Sequence, residues 1–403
     1  MKEIKRGIQL LKSEGVKGLT KAVIKYCFGI VSIIFYFVSQ FVSYFIPRSN
    51  NVWVFVSTDS DGVEFSDNTK YLFLHISNEQ PNDKAIWITN SNQIQSKLRK
   101  SNYNSCMIYS IRSIYYLLKA RHIVTANDID IKTFGFVGGA NIIQLWHGIQ
   151  LKSVKSSYEG RTLPWEIKNR LLKYDYLVTT SQREANLLLS KMNVENMIIS
   201  GHSRNDVFFK DIPGSNIGVP DDLLNWINKI EDSERVIGYF PTFRENQPII
   251  DPFDEVALNN FLQRHNSYLL VKPHRYMDID LEGAETIKIT SPKADVYPIF
   301  SHIDVMVTDY SSIFYDYLFL DQPVVFYPYD YESYEEERGF SLNYKEHVPG
   351  PQAHSFTELL NILEASLEED TYKQERKKIR ENSFAIEKET VSECIYSKIK
   401  EER

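Results

Sequence analysis

Short apolar runs alternate with amphipathic stretches along the chain from Asn51 onwards. Apolar runs rich in β-branched and aromatic residues are typical of buried parallel strands, and the amphipathic stretches between them predict crossover helices. The alternation therefore predicts an α/β fold built on doubly wound parallel sheets. In the first half it predicts strands at Val52–Ser57, Ala85–Thr89, Ser105–Tyr109, Ile123–Ala126, Ile142–Trp146, Tyr176–Thr180 and Met197–Ser200, and helices that include Ile111–Ala120 and Glu184–Met192.

A polar stretch with Pro and Gly interrupts this pattern at Asp211–Asp222 and is typical of a linker. The alternation then restarts, which predicts a second α/β unit, and a helical tail begins near Ser355. Two such units joined by a linker place a ligand cleft between them, at the carboxyl ends of the strands. The predicted strands of the second unit are Val236–Phe240, Tyr268–Lys272, Ile287–Thr290, Ile303–Thr308 and Val324–Tyr327.

These patterns divide the 403 residues into four parts. Residues 1–48 form a basic arm followed by a hydrophobic, membrane-associated segment. Residues 49–212 form the first α/β domain, and residues 213–354 form the second. Residues 355–403 form a helical tail, which we expect to pack back on the two domains.

The uncharged stretch Tyr26–Ile46 has a length that suits a transmembrane helix, and no small-residue cleavage site follows it. Three serines and a glutamine dilute the stretch, so its composition also fits a segment lying in the membrane interface, with the basic arm on anionic lipids. Spanning would place residues 50–403 outside the cell. Because those residues have the composition of a cytoplasmic enzyme, we favour monotopic or peripheral attachment to the cytoplasmic face over spanning.

Composition excludes several other classes of protein. A formal net charge of −7 argues against a general nucleic-acid binder, so any anionic ligand must meet a local basic cluster. The three cysteines, Cys27, Cys106 and Cys394, are far apart and form no Cys/His ligand pattern. This spacing predicts a reducing compartment and no structural zinc.

Two polar clusters follow predicted strands of the first unit. His147-Gly148 comes after Ile142–Trp146. This histidine is either a general base or, as is more common for such a residue in isolation, a hydrogen-bonded loop residue. In Gly201–Asp206, Arg204 offers either a fork for phosphate or a solvated partner for Asp206 in the hinge. The residues themselves leave these alternatives open.

The second unit concentrates donors and positive charge at three strand ends. Arg244 follows one strand, Lys272 with His274 and Arg275 follow the next, and Asp309-Tyr310-Ser311-Ser312 follow a third. Ser311 and Ser312 begin a predicted helix, Ile313–Leu320, whose first N–H groups favour anions. Together these groups suffice to bind a pyrophosphate without a metal ion.

Other site motifs are missing or weak. The chain has no GxxxxGK[ST] loop, no GxGxxG and no GxSxG elbow, which argues against P-loop, dinucleotide and hydrolase sites. The triplets Asp128–Asp130 and Asp278–Asp280 have the form that holds a divalent metal on nucleotide phosphates. Because both fall in polar loops, we interpret them as surface carboxylates and expect no metal or other cofactor.

Taken together, these clusters resemble the CDP-glycerol glycerophosphotransferase family of teichoic-acid and capsule synthesis. The chain departs from the family pattern at Arg275 and Ser203, where the family commonly has Pro. The blocks that carry the resemblance are Leu145–Gly148 with Lys152, Thr180-Ser181, Gly201–Asp206, Tyr239–Arg244, Val271–His274, Thr308–Ser312 with Asp316, Asp321–Tyr327, Arg338–Phe340 and Pro349–Pro351.

The resemblance implies a GT-B-like fold, in which two Rossmann-like domains face each other across a cleft. It also implies a metal-independent enzyme at the cytoplasmic face of the cell membrane. The implied reaction transfers a polyol phosphate, in the first place glycerol phosphate, from a CDP-activated donor to a hydroxyl of the acceptor and releases CMP. The acceptor would be a lipid-linked saccharide or a polyol phosphate.

The same resemblance suggests a role for each residue of the site. His147 would be the general base, and His274 would stabilise the leaving phosphate. Arg204 and Lys152 are candidates for contacts with an anionic acceptor. Asp309, in the same part of the site, would orient the loop before the serines or only cap it. The residues expected to hold the donor phosphates are Arg244, Lys272, Ser311 and Ser312.

Two other functions compete with this one. A GT-B glycosyltransferase would transfer sugar from a nucleotide sugar, without attack at phosphorus. A membrane-bound scaffold would keep the fold and tolerate loss of His147 and His274. The sequence leaves open the choice of CDP-glycerol or CDP-ribitol, the choice of single transfer or polymerisation, and the oligomeric state.

Overall fold

The structure is a computed structural model, and it describes most of the chain. The described residues are 16–18, 20, 23–24, 27, 30–31, 34–35, 37–56, 65–127, 135–152, 173–189, 192–242, 244, 253–274, 285–385 and 391–401. Arg275 and both Asp-x-Asp triplets lie outside these ranges, as does part of Tyr26–Ile46.

Among the described residues, seven strands form the first sheet, in the spatial order β3-β2-β1-β4-β5-β6-β7, and they pair in parallel. The strand order reverses beside β1, which is the kind of switch point where open α/β sheets bind ligands. The strands are β1 (Ser49–Val56), β2 (Lys84–Thr89), β3 (Ser105–Met107), β4 (Ala120–Thr125), β5 (Asn141–Gln144), β6 (Tyr174–Thr179) and β7 (Val194–Ile199).

Helices cover both faces of this sheet. Because the strands are buried on both sides, their sequences are continuous apolar runs. Serine hydroxyls begin two of the helices: Ser91 accepts from the Ile94 N–H and Ser110 from the Ser113 N–H. The helices are α1 (Asp67–Glu79), α2 (Asn92–Lys100), α3 (Ile111–Lys119) and α4 (Gln182–Leu189), and a 3₁₀ turn, Ser203–Phe208, follows β7.

Five parallel strands form the second sheet, in the order β10-β9-β8-β11-β12. The strands are β8 (Arg235–Phe240), β9 (Ser267–Val271), β10 (Ile287–Ile289), β11 (Val305–Thr308) and β12 (Val324–Phe326). The helices are α5 (Asp221–Ile227), α6 (Glu255–Arg264), α7 (Ile313–Tyr317), α8 (Tyr331–Glu337) and α9 (Tyr344–His347), with 3₁₀ turns at Tyr297–His302 and Leu318–Leu320.

Three helices follow the second sheet: α10 (Phe356–Glu368), α11 (Lys373–Ser383) and α12 (Val391–Glu401). Helix α10 buries its apolar side in the core of the second sheet. Helix α12 instead returns to the first sheet, where its apolar residues join a core that contains Trp53 and Trp87. The last helix therefore ties the end of the chain to the first unit.

Every predicted strand is present, with ends that differ from the prediction by at most three residues. The predicted helix Ile313–Leu320 is shorter: it is α-helical only to Tyr317 and then tightens into the 3₁₀ turn. It ends because Asp321 takes a left-handed conformation (φ 56°) and Pro323 follows, which a helix cannot continue through.

The end of the hydrophobic N-terminal segment is a helix at residues 37–44 that presents its polar side to the protein. Ser43 is fully buried and its hydroxyl accepts from the Gly138 N–H at 2.8 Å. The fit is close, since a Cβ at Gly138 would lie 2.3 Å from the Gln40 carbonyl oxygen. The outward side is apolar: Phe41 on the helix and Phe45 in the turn that follows it are each 69% exposed. Within the ranges given above, the structure contains no helix long and apolar enough to span a bilayer.

Candidate active site

The two units meet where the carboxyl ends of their strands converge. His147 follows β5, and its neighbour Gly148 lies against Ser312, which follows β11 of the other sheet. A Cβ added at Gly148 would come within 3.0 Å of the Ser312 hydroxyl oxygen. The structure therefore brings the predicted base and the predicted phosphate-binding serines to one place.

The backbone before His147 is strained. Trp146 has φ 56°, in the left-handed region that side chains with a Cβ rarely adopt. The Gln144 side chain accepts from the Trp146 N–H at 3.0 Å, and the Asn68 amide donates to the Trp146 carbonyl at 2.9 Å. Such strain persists only where the surroundings fix it, and it is common at functional sites.

One nitrogen of the His147 ring faces a backbone carbonyl. Its Nδ1 lies 3.4 Å from the Ala126 carbonyl, and a proton on Nδ1 leaves Nε2 as an acceptor. The side chain keeps solvent access, yet protein atoms crowd it in the cleft. Burial lowers the pKa of His147, while the Asp67 carboxylate opposes this shift. A lowered pKa keeps the imidazole neutral, as a general base must be.

Lys152 reaches from the first unit into the second. Its backbone forms an antiparallel bridge with Phe340, and its Nζ lies 3.4 Å from the Thr242 hydroxyl. Burial lowers the pKa of Lys152 to about 8; Asp309 opposes this shift and Arg244 adds to it. The side chain therefore supplies a positive charge at neutral pH that a modest rise in pH removes.

Arg244 is bound by two carboxylates of the second unit, and its contact with the donor phosphates stays a prediction. Both Nε and Nη2 bind the Asp330 carboxylate at 2.8 Å, and Nη1 binds Asp309. Three tyrosine rings surround the group, with centroids 5.1–5.5 Å away. These carboxylates raise the pKa of Arg244. Its role in this structure is to hold loops of the second unit together.

Asp309 is also internal, and its contacts are those of a residue that orients the loop. It is fully buried and accepts from the Thr242 N–H at 2.9 and 3.0 Å, as well as from Arg244. Arg244 holds the pKa of Asp309 below its usual range against the effect of burial. The carboxylate therefore joins the loop after β8 to the loop after β11 and orients the serines that follow it.

Ser311 and Ser312 remain partly exposed at the start of α7. The Ser311 hydroxyl accepts weakly from the Ile313 N–H at 3.4 Å, whereas Ser312 makes no capping bond. Because α7 has only five residues, its dipole contributes little, and the hydroxyls with the first N–H groups are the main donors for an anion.

Lys272 and His274 follow β9, which lies beside β8 in the sheet, so both stand at the predicted neighbouring strand ends. Both side chains are partly buried. Their roles at the donor phosphates stay predictions, and the described contacts neither assign nor exclude them.

Arg204 is 5% exposed and makes no ion pair with Asp206, which overturns one interpretation of its block. It binds Asp316 of the second unit at 2.7 Å and Asp67 of the first. Asp206 instead accepts from the N–H groups of Val391 and Ser392 at 3.0 Å each and so begins α12. Its guanidinium is buried among protein groups, and the suggested contact with an anionic acceptor stays a prediction.

Several residues at the site were not assigned a role from the sequence. His202 lies in the Gly201–Asp206 block and Asp316 follows the serines, so both stand in motifs that were noticed. Asp67 and Tyr297 could not be predicted as residues of the site, because nothing in their local sequence indicates that they lie at the cleft. Across the ranges described, the structure shows no group of three or more His, Cys, Asp or Glu that could hold a metal ion.

The comparisons with known proteins agree on one family. The model of the CDP-glycerol:poly(glycerophosphate) glycerophosphotransferase family matches residues 38–401. A teichoic acid poly(glycerol phosphate) polymerase from Staphylococcus epidermidis is 28% identical over 315 residues, covering 72% of this chain and 42% of that protein. The chain thus spans less than half the length of that relative.

A second polymerase of the same description, from Bacillus spizizenii, is 26% identical over 82% of this chain and 86% of its own length. Teichoic acid ribitol-phosphate polymerases are also similar, at 25–27% identity. The fold is similar to the solved structure of the wall teichoic acid polymerase TagF, with a TM-score of 0.70 and 22% identity over 95% of this chain and 98% of that one. The match to the family model covers most of the sequence, and the chain belongs to the CDP-glycerol:poly(glycerophosphate) glycerophosphotransferase family.

Proposed function

We propose that this protein transfers a polyol phosphate, in the first place glycerol phosphate, from a CDP-activated donor to a hydroxyl of a lipid-linked or polymeric acceptor and releases CMP. The observation that carries the proposal is the contact between the His147-Gly148 loop and Ser312, with Lys152 reaching across the same boundary. A base, hydroxyl donors and a cation at one cleft are what transfer of a phosphoryl group needs. Family membership and the glycerol-phosphate polymerases among the relatives support the same substrates.

In the proposed step, Nε2 of His147 takes the proton of the acceptor hydroxyl as that oxygen attacks the distal phosphorus of the donor. A new P–O bond forms, and the bond from that phosphorus to the bridging oxygen breaks, so that the electron pair leaves with CMP. The hydroxyls of Ser311 and Ser312 and the ammonium of Lys152 neutralise the phosphate charge. His274, from the strand end beside them, stabilises the leaving phosphate.

Ribitol phosphate is the alternative donor group, because ribitol-phosphate polymerases are also relatives. Glycerol phosphate ranks first since the family description and the two glycerol-phosphate relatives share it. We also propose that transfer needs no metal ion, because protein cations and donors stand where the donor phosphates would bind.

In this proposal the protein attaches to the membrane that carries the acceptor. The helix at residues 37–44 buries its serines against the protein and turns its aromatic side chains outwards, which is the reverse of a soluble surface helix. A lipid surface is the partner that such an apolar face suits. Peripheral attachment at the cytoplasmic face would bring a lipid-linked acceptor to the enzyme.

The test is release of CMP from CDP-glycerol and from CDP-ribitol, with a lipid-linked polyol-phosphate acceptor and with EDTA present. We expect acceptor-dependent release that survives EDTA and falls on the order of 10²–10⁴-fold in His147→Ala, because the base is lost. His274→Ala should also lower the rate. His302→Ala, an exposed histidine on the second unit, is the matched control and should behave as wild type.

Three results would contradict the proposal. The first is no release from either donor, and the second is release that His147→Ala leaves unchanged. The third, release only when a divalent cation is present, would overturn the metal-independent step alone. The donor that supports turnover decides between glycerol and ribitol phosphate.

A further inference from the structure

A buried charge network joins the two units directly behind His147. Arg204 comes from the 3₁₀ turn after β7, and its Nη1 donates to the His147 carbonyl oxygen at 2.9 Å. The same nitrogen binds the Asp67 carboxylate at the start of α1. The guanidinium therefore holds the backbone of the proposed base and leaves its imidazole free for chemistry.

The other end of the network is Asp316, which lies on α7, four residues after Ser312. Asp316 is fully buried and accepts from Arg204 Nη2 at 2.7 Å and from Nε at 3.2 Å. His202 and the Tyr297 hydroxyl also bind this carboxylate, each at 2.9 Å. A continuous set of contacts thus runs from the helix that begins with the serines, through Asp316 and Arg204, to the backbone of His147.

We propose that Asp316 and Arg204 are positioning residues, which hold the His147 loop against the Ser311-Ser312 end of α7. The inference rests on the proposed role of His147 as the base. Neither residue touches the reacting atoms. Their function is to fix the base, which belongs to one unit, relative to the phosphate-binding serines, which belong to the other.

The loop needs such support. Trp146 holds a left-handed conformation beside the base, and that conformation relaxes unless its surroundings prevent it. A displacement of about 1 Å at a catalytic group can cost on the order of 10²-fold in rate. Arginine suits the task because its planar fork binds several oxygens in fixed directions, whereas lysine presents a point charge.

A second buried ion pair provides a matched control. Asp295 of the second unit binds Lys70 of the first at 2.6 Å and accepts from the Tyr71 hydroxyl at 3.0 Å. Asp295 and Asp316 are both buried at the boundary between the units, but the groups that bind the Asp295 carboxylate, which also include the Tyr297 N–H, do not belong to the His147 loop. The substitutions Asp316→Asn and Asp295→Asn therefore remove the same charge from similar surroundings.

We expect Asp316→Asn to lower kcat for CMP release on the order of 10²-fold, with the donor KM within about threefold of wild type, because positioning rather than binding is lost. Asp295→Asn should lower Tm but keep kcat within about threefold, measured below its Tm. If Asp316→Asn fails to fold, Arg204→Lys tests the positioning role, because it keeps the positive charge and loses the planar guanidinium. This variant should lower kcat without raising the KM of either substrate.

The pH profile adds a readout that lost stability alone would not produce. The charged groups whose fields act on His147 are Asp67, Arg204 and His202, and Ala126 contributes its carbonyl. Arg204→Gln removes a positive charge, which raises the pKa of His147 and moves the acidic limb of kcat/KM to higher pH. Asp316→Asn leaves Arg204 less neutralised and moves the same limb to lower pH.

Equal losses of kcat in Asp316→Asn and Asp295→Asn would overturn the positioning role. An Arg204→Gln variant with a raised acceptor KM and an unchanged kcat would also overturn the positioning role. It would show that Arg204 binds the acceptor instead. A wild-type protein that releases no CMP would overturn the proposed function and this inference with it. An active wild type with unaffected variants would overturn this inference alone.

Discussion

Two side chains at the cleft set the expected pH dependence at the scale of single residues. In the proposed mechanism His147 must be neutral to act as the base, and burial lowers its pKa from an ordinary value of 6.5. Activity should therefore rise with pH through a midpoint below 6.5. The proposed phosphate contact of Lys152 needs its positive charge, and its pKa is lowered to about 8, so activity should fall again as the pH rises past about 8.

The measurement is kcat/KM for the CDP donor between about pH 4 and about pH 10, so that both limbs of the profile are covered. Lys152→Arg keeps a cation that does not titrate in this range, so it should move the alkaline limb upwards and leave the acidic limb in place. An alkaline limb that stays near pH 8 in Lys152→Arg would show that another group causes it.

The hydrophobic pattern of the sequence predicts the position of some of these side chains but not of others. The hydrophobic pattern located the strand ends, so it correctly placed His147, Ser311 and Ser312 at the cleft. It did not show that Arg204 and Arg244 are internal. Their carboxylate partners lie far away in sequence, 112 residues for Asp316 and 86 for Asp330, and only the folded chain brings such groups together.

At the scale of elements, the N-terminal helix shows that hydrophobic content alone does not give orientation. Ser39 and Ser43 are spaced four residues apart, which places both on one face, and that face is buried against Gly135 and Gly138. The sequence predicted membrane association from composition. It did not predict that the polar side would serve as the contact with the protein, because the glycines that accept it are nearly a hundred residues away.

The double variant Phe41→Glu/Phe45→Glu places one charge on the outward face of this helix and one on the turn that follows it. We expect it to lose binding to vesicles that contain anionic lipid, because each exposed aromatic side chain contributes apolar area to the lipid interface. Flotation of vesicles measures this directly. Activity on a soluble acceptor should be unchanged, since the helix contacts the end of the first sheet opposite to the cleft.

Val256→Glu is the control for this variant, because Val256 is also strongly exposed (72%) but lies on α6 of the second unit. It should bind vesicles as wild type does. Equal flotation of the double variant and wild type would contradict a membrane role for residues 37–44 and direct attention to the basic arm.

At the scale of the whole molecule, the two units are joined by more than the linker. The ion pairs Lys70–Asp295 and Arg204–Asp316 are buried at the boundary, and α12 crosses back to the first sheet. Opening one unit would leave buried charges without partners, which costs several kcal/mol per pair. The sequence predicted two α/β units, but this coupling depends on long-range contacts that local pattern does not encode.

The coupling predicts that the molecule unfolds as one cooperative system. Ile395 of α12 is fully buried in the core of the first unit, and Ile395→Ala should lower the free energy of unfolding by about 2–5 kcal/mol. Because the units are joined by buried charges, amide hydrogen exchange should accelerate in β8 of the second sheet as well as in β1 of the first.

Leu363→Ala in α10, which is buried against the second sheet, is the reciprocal variant and should also accelerate exchange in both strands. Ile395→Ala could instead accelerate exchange in β1 alone, and Leu363→Ala in β8 alone. That result would show that the two units unfold independently. The buried ion pairs would then fix the relative position of the units without coupling their unfolding.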